Sequence, residues 1–182
     1  QIEAQKKHLE EQNRNIRLLS EIGQNITSTI KIEEIMTKIY ESLNALMDAP
    51  NFSVGQINPS REVIDFFAFE APEKPLSKLE IPLNDQRHLS VWTIHNGETI
   101  FMNEVEQEVG AYFEDVPERY DAGNPYQSAI YLPLRAASEK VIGILIVKSP
   151  KAKAYTPFHL QVLKNLAAYI AIAIDNAQAY RE

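Results

Sequence analysis

The order of apolar patterns along the chain predicts an α+β fold in which long helices bracket an antiparallel sheet. Three observations predict it. Apolar residues recur at helical and heptad spacing near both ends. Runs of strand length occupy the middle, and turn-forming residues join those runs in pairs.

The first helix is charged. Ile2, Leu9 and Ile16 recur every seven residues, and Leu19 and Ile26 sit three further on within the following heptads, which is the a/d pattern of a coiled-coil seam. Gln5 and Gln12 hold the earlier d positions and weaken the seam in favour of register; a lone solvated helix is the other reading. Gly23 and the run Asn25-Ile26-Thr27-Ser28-Thr29 predict a bend or break. A second helix follows over Ile32–Met47, with Ile32, Ile35, Ile39, Leu43 and Leu46 on one face, and Asp48-Ala49-Pro50-Asn51 ends it.

Two strands come next, Phe52–Ile57 and Val63–Glu70, joined by Asn58-Pro59-Ser60-Arg61-Glu62. In the second, Val63, Phe67 and Phe69 face one way while Ile64 and Phe66 face the other, as expected of a strand covered on both sides. Residues 72–82 read as loop. Leu89–His95 predicts a short helix closed by Asn96-Gly97, and Thr99–Met102 a short strand. Residues 103–125, acidic and aromatic, predict short helix mixed with loop. The clearest hairpin runs from Gln127–Leu134 through Ala136–Lys140 to Val141–Lys148, and Gly143 within it signals a close backbone approach. Thr156-Pro157 supplies an N-cap and a first-turn proline for the last helix. That helix carries Leu163, Leu166, Ile170, Ala173, Ala177 and Tyr180 at heptad spacing. Both chain ends read as cuts through continuing helices.

A chain of 182 residues suffices for one domain with its own core. It has no cysteine, which excludes disulfides, thiol catalysis, thiolate metal sites and thioether attachment of a chromophore. A formal charge of −7 and a pI near 5.2 speak against a nucleic-acid partner. No run approaches the ~20 apolar residues of a membrane span, and no signal peptide opens the chain, so a cytoplasmic protein without direct membrane contact is expected.

The succession Ser128-Ala129-Ile130-Tyr131-Leu132-Pro133-Leu134, Val141-Ile142-Gly143-Ile144-Leu145-Ile146-Val147 and the helix from Phe158 through Ala171-Ile172-Ala173-Ile174-Asp175-Asn176-Ala177 resembles the GAF domain family. Leu19-Ser20-Glu21-Ile22-Gly23 and Ile32-Glu33-Glu34-Ile35 are similar to the opening of such domains. The resemblance spans residues 18–180 and rests on order and spacing together. It implies a GAF-like, PAS-related antiparallel sheet of about six strands, with the terminal helices on one face and a pocket of loops and short helices on the other. It divides the chain into a helical or coiled-coil linker, 1–22, and a sensor domain, 23–176, whose last helix continues to 182 as a signalling helix. It also implies a homodimer through the terminal helices and an attached output domain, as in bacterial sensor histidine kinases and cyclases.

No catalytic constellation stands in the residues. His8, His88, His95 and His159 lack metal-binding spacing, and no nucleophile elbow or phosphate loop occurs. The acidic set Glu104, Glu106, Glu108, Glu114, Asp115, Glu118 and Asp121 lacks the order of a calcium loop and reads as a solvated surface. No cofactor and no metal are expected, and the fragment is not expected to be an enzyme. The marks of the GAF versions that hold cyclic nucleotides, or bilins through cysteine, are missing, which leaves an unidentified small ligand. Trp92, Phe101, Tyr112, Phe113, Tyr126 and Ser128 fall in the segments that surround the family's pocket, and aromatic walls with hydroxyls suit an organic ligand as well as ordinary core. The dimer seam is expected at Ile2, Leu9, Ile16, Leu19, Ile26, Ile170, Ala173, Ala177 and Tyr180. Two readings result: a sensory domain that controls an output through its terminal helices, or an unliganded dimerisation module.

Overall fold

The computed structural model describes residues 2–28, 32–69, 77–120 and 124–181, with the side chains of 19–28, 32–33, 35, 77 and 177–181 left aside. Helix α1 spans Ile2–Ser28 and α2 Ile32–Asn44. The strands are β1 (Asn51–Asn58), β2 (Val63–Phe69), β3 (Ser77–Pro82), β4 (Ile100–Met102), β5 (Ser128–Arg135) and β6 (Val141–Ser149). Between them lie α3 (Leu89–Asn96), α4 (Val105–Glu108) and single 3₁₀ turns at Val109–Ala111 and Glu118–Tyr120; α5 (Pro157–Arg181) closes the chain.

All strand pairs are antiparallel, in the order β3-β2-β1-β6-β5-β4. Alternation along the strands divides the core into two layers. On one face Met36, Ile39 and Leu43 of α2 and Leu163, Leu166, Ile170 and Ile174 of α5 pack on Phe52, Val54, Ile130, Leu132, Leu134, Leu145 and Val147. On the other, Ile64, Phe66, Ala129, Tyr131, Ile144 and Ile146 meet Leu89 and Val91 of α3, Val105 of α4 and the turn residue Tyr120. β2 is two-sided as its sequence indicated, with Phe67 and Phe69 toward α2 and Ile64 and Phe66 toward α3.

Two expectations are corrected. The segment 72–82 holds the edge strand β3 and not only loop: Ser77–Pro82 pairs along β2 from Ser77↔Ala68 to Pro82↔Val63. Helix α1 also runs through Gly23 to Ser28 without the break expected there. A glycine costs a helix only ~1 kcal/mol, and the long run of good helix formers before it carries that cost.

The caps predicted for α3 and α5 are present. Gly97 sits at φ 64° and donates its amide to the Thr93 carbonyl, closing α3. Helix α2, in contrast, stops at Asn44 and not at the expected Met47, because the Asn44 side chain bonds the Tyr40 carbonyl and both backbone groups of Ala49. Thr156 Oγ1 accepts the His159 amide while His159 Nδ1 accepts the Thr156 amide, a reciprocal N-cap of α5 with histidine in the position usual for glutamate. The close approach signalled by Gly143 is to Gly55 of β1, whose carbonyl oxygen would collide with any Cβ there.

By length and composition α5 meets the criteria for a membrane span. Its apolar side is spent on the sheet, through Val162, Leu163, Leu166, Ala167, Ile170, Ala171 and Ile174, as in the core helix of a globular domain.

Candidate functional site

The face of the sheet opposite α2 and α5 carries a cavity of about 660 Å³, within the range of small-molecule sites. Its floor is sheet: Ala129 and Tyr131 of β5, Ile146 and Lys148 of β6, Met102 of β4. β3 forms one side with Leu79 and Ile81, and the segment leading into α3 forms another with Asp85, Arg87, His88, Leu89 and Ser90. Val105, Arg119, Tyr120 and Tyr126 close it from the connection between β4 and β5.

Polar chemistry gathers at the start of α3. Arg87 clasps Asp85 with Nε and Nη2, each 2.9 Å from a carboxylate oxygen, and the Arg87 amide adds a third bond. The guanidinium hydrogen bond holds the Asp85 carboxyl well below the usual carboxylate range. Asp85 Oδ2 also lies 3.4 Å from His88 Nε2. Arg119 Nη1 approaches the same imidazole, 2.7 Å from Nδ1 and 3.1 Å from Nε2. Arginine only donates, so the ring presents an unprotonated nitrogen to it. Burial, and then the Arg119 charge, push the His88 pKa down.

The Tyr120 hydroxyl accepts the Leu89 amide at 3.0 Å and is hydrogen-bonded to Tyr131. Both phenols are pushed above their ordinary pKa, mainly by burial, and remain neutral donors. The Lys148 ammonium lies 5.4 Å from the Tyr126 ring centroid and 6.0 Å from that of Tyr131. Asn51 Nδ2 donates to the Tyr126 hydroxyl at 3.0 Å, tying that ring to β1.

The six residues proposed from sequence for the pocket do not form one wall. Tyr126 lines the cavity. Trp92, Tyr112 and Phe113 line a separate cleft of about 540 Å³ on the outer side of α3, where the Trp92 and Tyr112 rings meet edge-on at 4.8 Å. Phe101 and Ser128 lie on the helix-covered face of the sheet, Phe101 packed against that core. Ser128 is fully buried; its hydroxyl donates to the Lys151 carbonyl and accepts the Ala154 amide, anchoring the connection into α5. One step of strand parity separates Phe101 and Ser128 from the cavity residues Met102 and Ala129. Sequence reasoning missed Asp85, His88, Ser90, Arg119 and Lys148. Scattered over more than sixty positions, they carry no shared motif, and β6 and the connection after β4 bring them together.

The seam candidates divide as well. Ile2, Leu9 and Ile16 stand exposed along α1. Ile170 is buried against its own sheet and Ala173 partly so. The side chains of Leu19, Ile26, Ala177 and Tyr180 lie outside the described residues. Among the described residues no cluster of His, Asp and Glu is arranged to hold a metal ion.

The family model for the GAF domain matches residues 31–176. The chain belongs to the GAF domain family. Its curated relatives include the formate hydrogenlyase transcriptional activator FhlA of Escherichia coli strain K12, 23% identical over 170 residues, and the formate hydrogenlyase transcriptional activator of Salmonella typhimurium strain SL1344, 22% identical. Each alignment takes in 92% of this chain and 24% of the relative, so the GAF chain spans about a quarter of those proteins. Among solved structures it is similar to the GAF domain of an Acinetobacter phosphoenolpyruvate-protein phosphotransferase (TM-score 0.73, 18% identity, 92% of this chain and 96% of that one). It is also similar to the free methionine-R-sulfoxide reductase of Neisseria meningitidis (TM-score 0.66, 15% identity, 91% of each). The GAF sheet with its flanking helices is thus shared with regulators and with enzymes. Without a cysteine this chain has no thiol for redox catalysis.

Proposed function

We propose that this GAF domain is a non-catalytic sensory module of a larger cytoplasmic signalling protein, in which a small ligand in the cavity biases the helices on the opposite face. One observation carries the reading. Neighbouring residues of β5 and β6 serve both sides: Tyr131 and Ile146 line the cavity, while Leu132, Leu145 and Val147 pack under α2 and α5. A ligand that moves β5 or β6 therefore acts on the seat of α5 without any intervening loop. Transmission requires that the ligand bind two arrangements of those helices unequally. Regulatory relatives support a role as a controlling domain, with the output carried by an attached domain of histidine kinase, cyclase or transcription-activator type. The exposed stripe of α1 supports a homodimer through the terminal helices.

The second reading, an unliganded dimerisation module, is favoured by that same stripe. Thermal melting across a library of small neutral and charged organic compounds separates the two. The sensory reading expects a saturable, concentration-dependent rise in melting temperature, abolished by filling the cavity with Ala129→Phe. A flat response over the whole library would leave only the dimerisation module.

A further inference from the structure

We infer that the cavity takes a small organic carboxylate, its anionic end held at the start of α3 by Ser90, Arg119 and Lys148 and its apolar body lying on Met102, Val105, Ala129 and Ile146. The inference rests on the sensory reading and names the ligand class for it.

Four independent features converge on that end of the cavity. Ser90 is 3% exposed as a residue and lines the cavity. Its hydroxyl opens onto the cavity, where an arriving acceptor can take its proton in a hydrogen bond. The N-cap position of α3 is His88, whose side chain makes no capping bond. The Tyr120 hydroxyl takes the Leu89 amide, and the Ser90 and Val91 amides that follow lie at the positive end of the helix dipole, which favours an anion. Arg119 turns its guanidinium to a neutral imidazole at the cavity rim, a weak acceptor that a carboxylate outcompetes. Lys148 places its ammonium over two cavity rings. The charged residues of the lining are Arg87, Arg119 and Lys148 against Glu80 and Asp85, and both carboxylates already meet arginines, Glu80 with Arg61 at 2.6 Å and Asp85 with Arg87. A cavity of that sign in a chain of net charge −7 is a local arrangement and no reflection of composition.

The apolar half decides between kinds of anion. Leu79, Ile81, Leu89, Met102, Val105, Ala129 and Ile146 present no polar side-chain atom, so a bare inorganic anion would leave most of the volume unfilled. A carboxylate on a ring or short chain uses both halves.

Calorimetric titration of the domain with benzoate and with benzamide, its uncharged counterpart of similar shape, tests the inference. Benzoate is expected to bind saturably and benzamide at least about tenfold more weakly. Arg119→Gln and Lys148→Met are each expected to weaken benzoate about tenfold, and Ser90→Ala about threefold, with unliganded melting temperatures near that of the parent. Equal binding of benzamide, or benzoate affinity unchanged in both cation variants, would overturn the carboxylate while leaving a ligand-sensing cavity in place. Inorganic phosphate binding where benzoate does not would overturn it too. So would silence from benzoate, acetate and succinate up to about 10 mM, a range that already admits millimolar affinity; the neutral compounds of the library then decide the sensory reading separately.

Discussion

His159 and His88 are both held below the ordinary imidazole range, chiefly by burial, and each uses its neutral form. His159 Nδ1 accepts the Thr156 amide, and His88 offers a ring nitrogen to Arg119. His88 is faced by Asp85 and Arg87 from the segment before α3, by Arg119 from the 3₁₀ turn and by Lys148 from β6. A depressed imidazole pKa means that the unfolded chain takes up protons before the folded one. The stability of the neutral form is therefore whole above the unfolded value of about 6.5 and is lost as pH falls below it toward the folded values. Asp85 is depressed as well, but its contribution stays intact until pH nears the unfolded carboxylate value of about 4. Melting temperature is expected to fall between pH 7.5 and pH 5.5, and His88→Asn with His159→Glu to flatten that slope. An unchanged slope in the double variant would place the sensitivity elsewhere. At neutral pH the glutamate preserves the reciprocal cap, whereas Thr156→Ala, which removes the hydroxyl that accepts the His159 amide, is expected to cost about 1 kcal/mol by chemical denaturation.

At the scale of elements, the tightest constraint lies between β1 and β6. Gly143 pairs with Gln56, and a Cβ on it would run into the Gly55 carbonyl oxygen, a backbone atom that cannot swing aside. Gly143→Ala is expected to destabilise by about 3 kcal/mol, at the upper end of ordinary overpacking. Gly97→Ala, which asks alanine to hold φ 64°, is expected to cost about 1 kcal/mol. Urea unfolding of the two variants measures the difference, and a Gly143 variant no weaker than the Gly97 one would refute the backbone argument.

Elements of this kind were legible in the sequence because local rules decide them. The two-sided apolar run of β2, the Thr156-Pro157 start of α5 and Gly97 after α3 each follow from neighbours within a few positions. β3 was not legible: Leu79 and Ile81 alone alternate in it, and what makes it a strand is the free edge of β2. The cavity was legible still less. Its aromatic candidates were sought by segment, but strand parity turns Phe101 and Ser128 to the far face, and α3 sends Trp92 outward. Its charged end is assembled from positions 85–90, 119 and 148, which only the strand order β6-β5-β4 makes neighbours.

For the whole molecule, the question is how two copies meet. Ile2, Leu9 and Ile16 are 82%, 56% and 63% exposed on one stripe of α1, while Ile170 on α5 is only 3% exposed. The apolar side of α5 is already occupied by the sheet, so α1 carries the part of a seam that the described side chains can supply. Three apolar residues at heptad spacing, interrupted by Gln5 and Gln12, make a weak parallel or antiparallel pair whose register those glutamines restrict. The domain is expected to dimerise with a dependence on concentration that light scattering resolves. Leu9→Asp with Ile16→Asp is expected to yield a monomer. Because neither side chain is buried in its own fold, the variant should keep the circular dichroism and the benzoate affinity of the parent. A dimer that survives both charges would move the interface off this stripe. A monomer that also loses its ligand would show instead that α1 and the cavity are one coupled unit, joined through α5, β5 and β6.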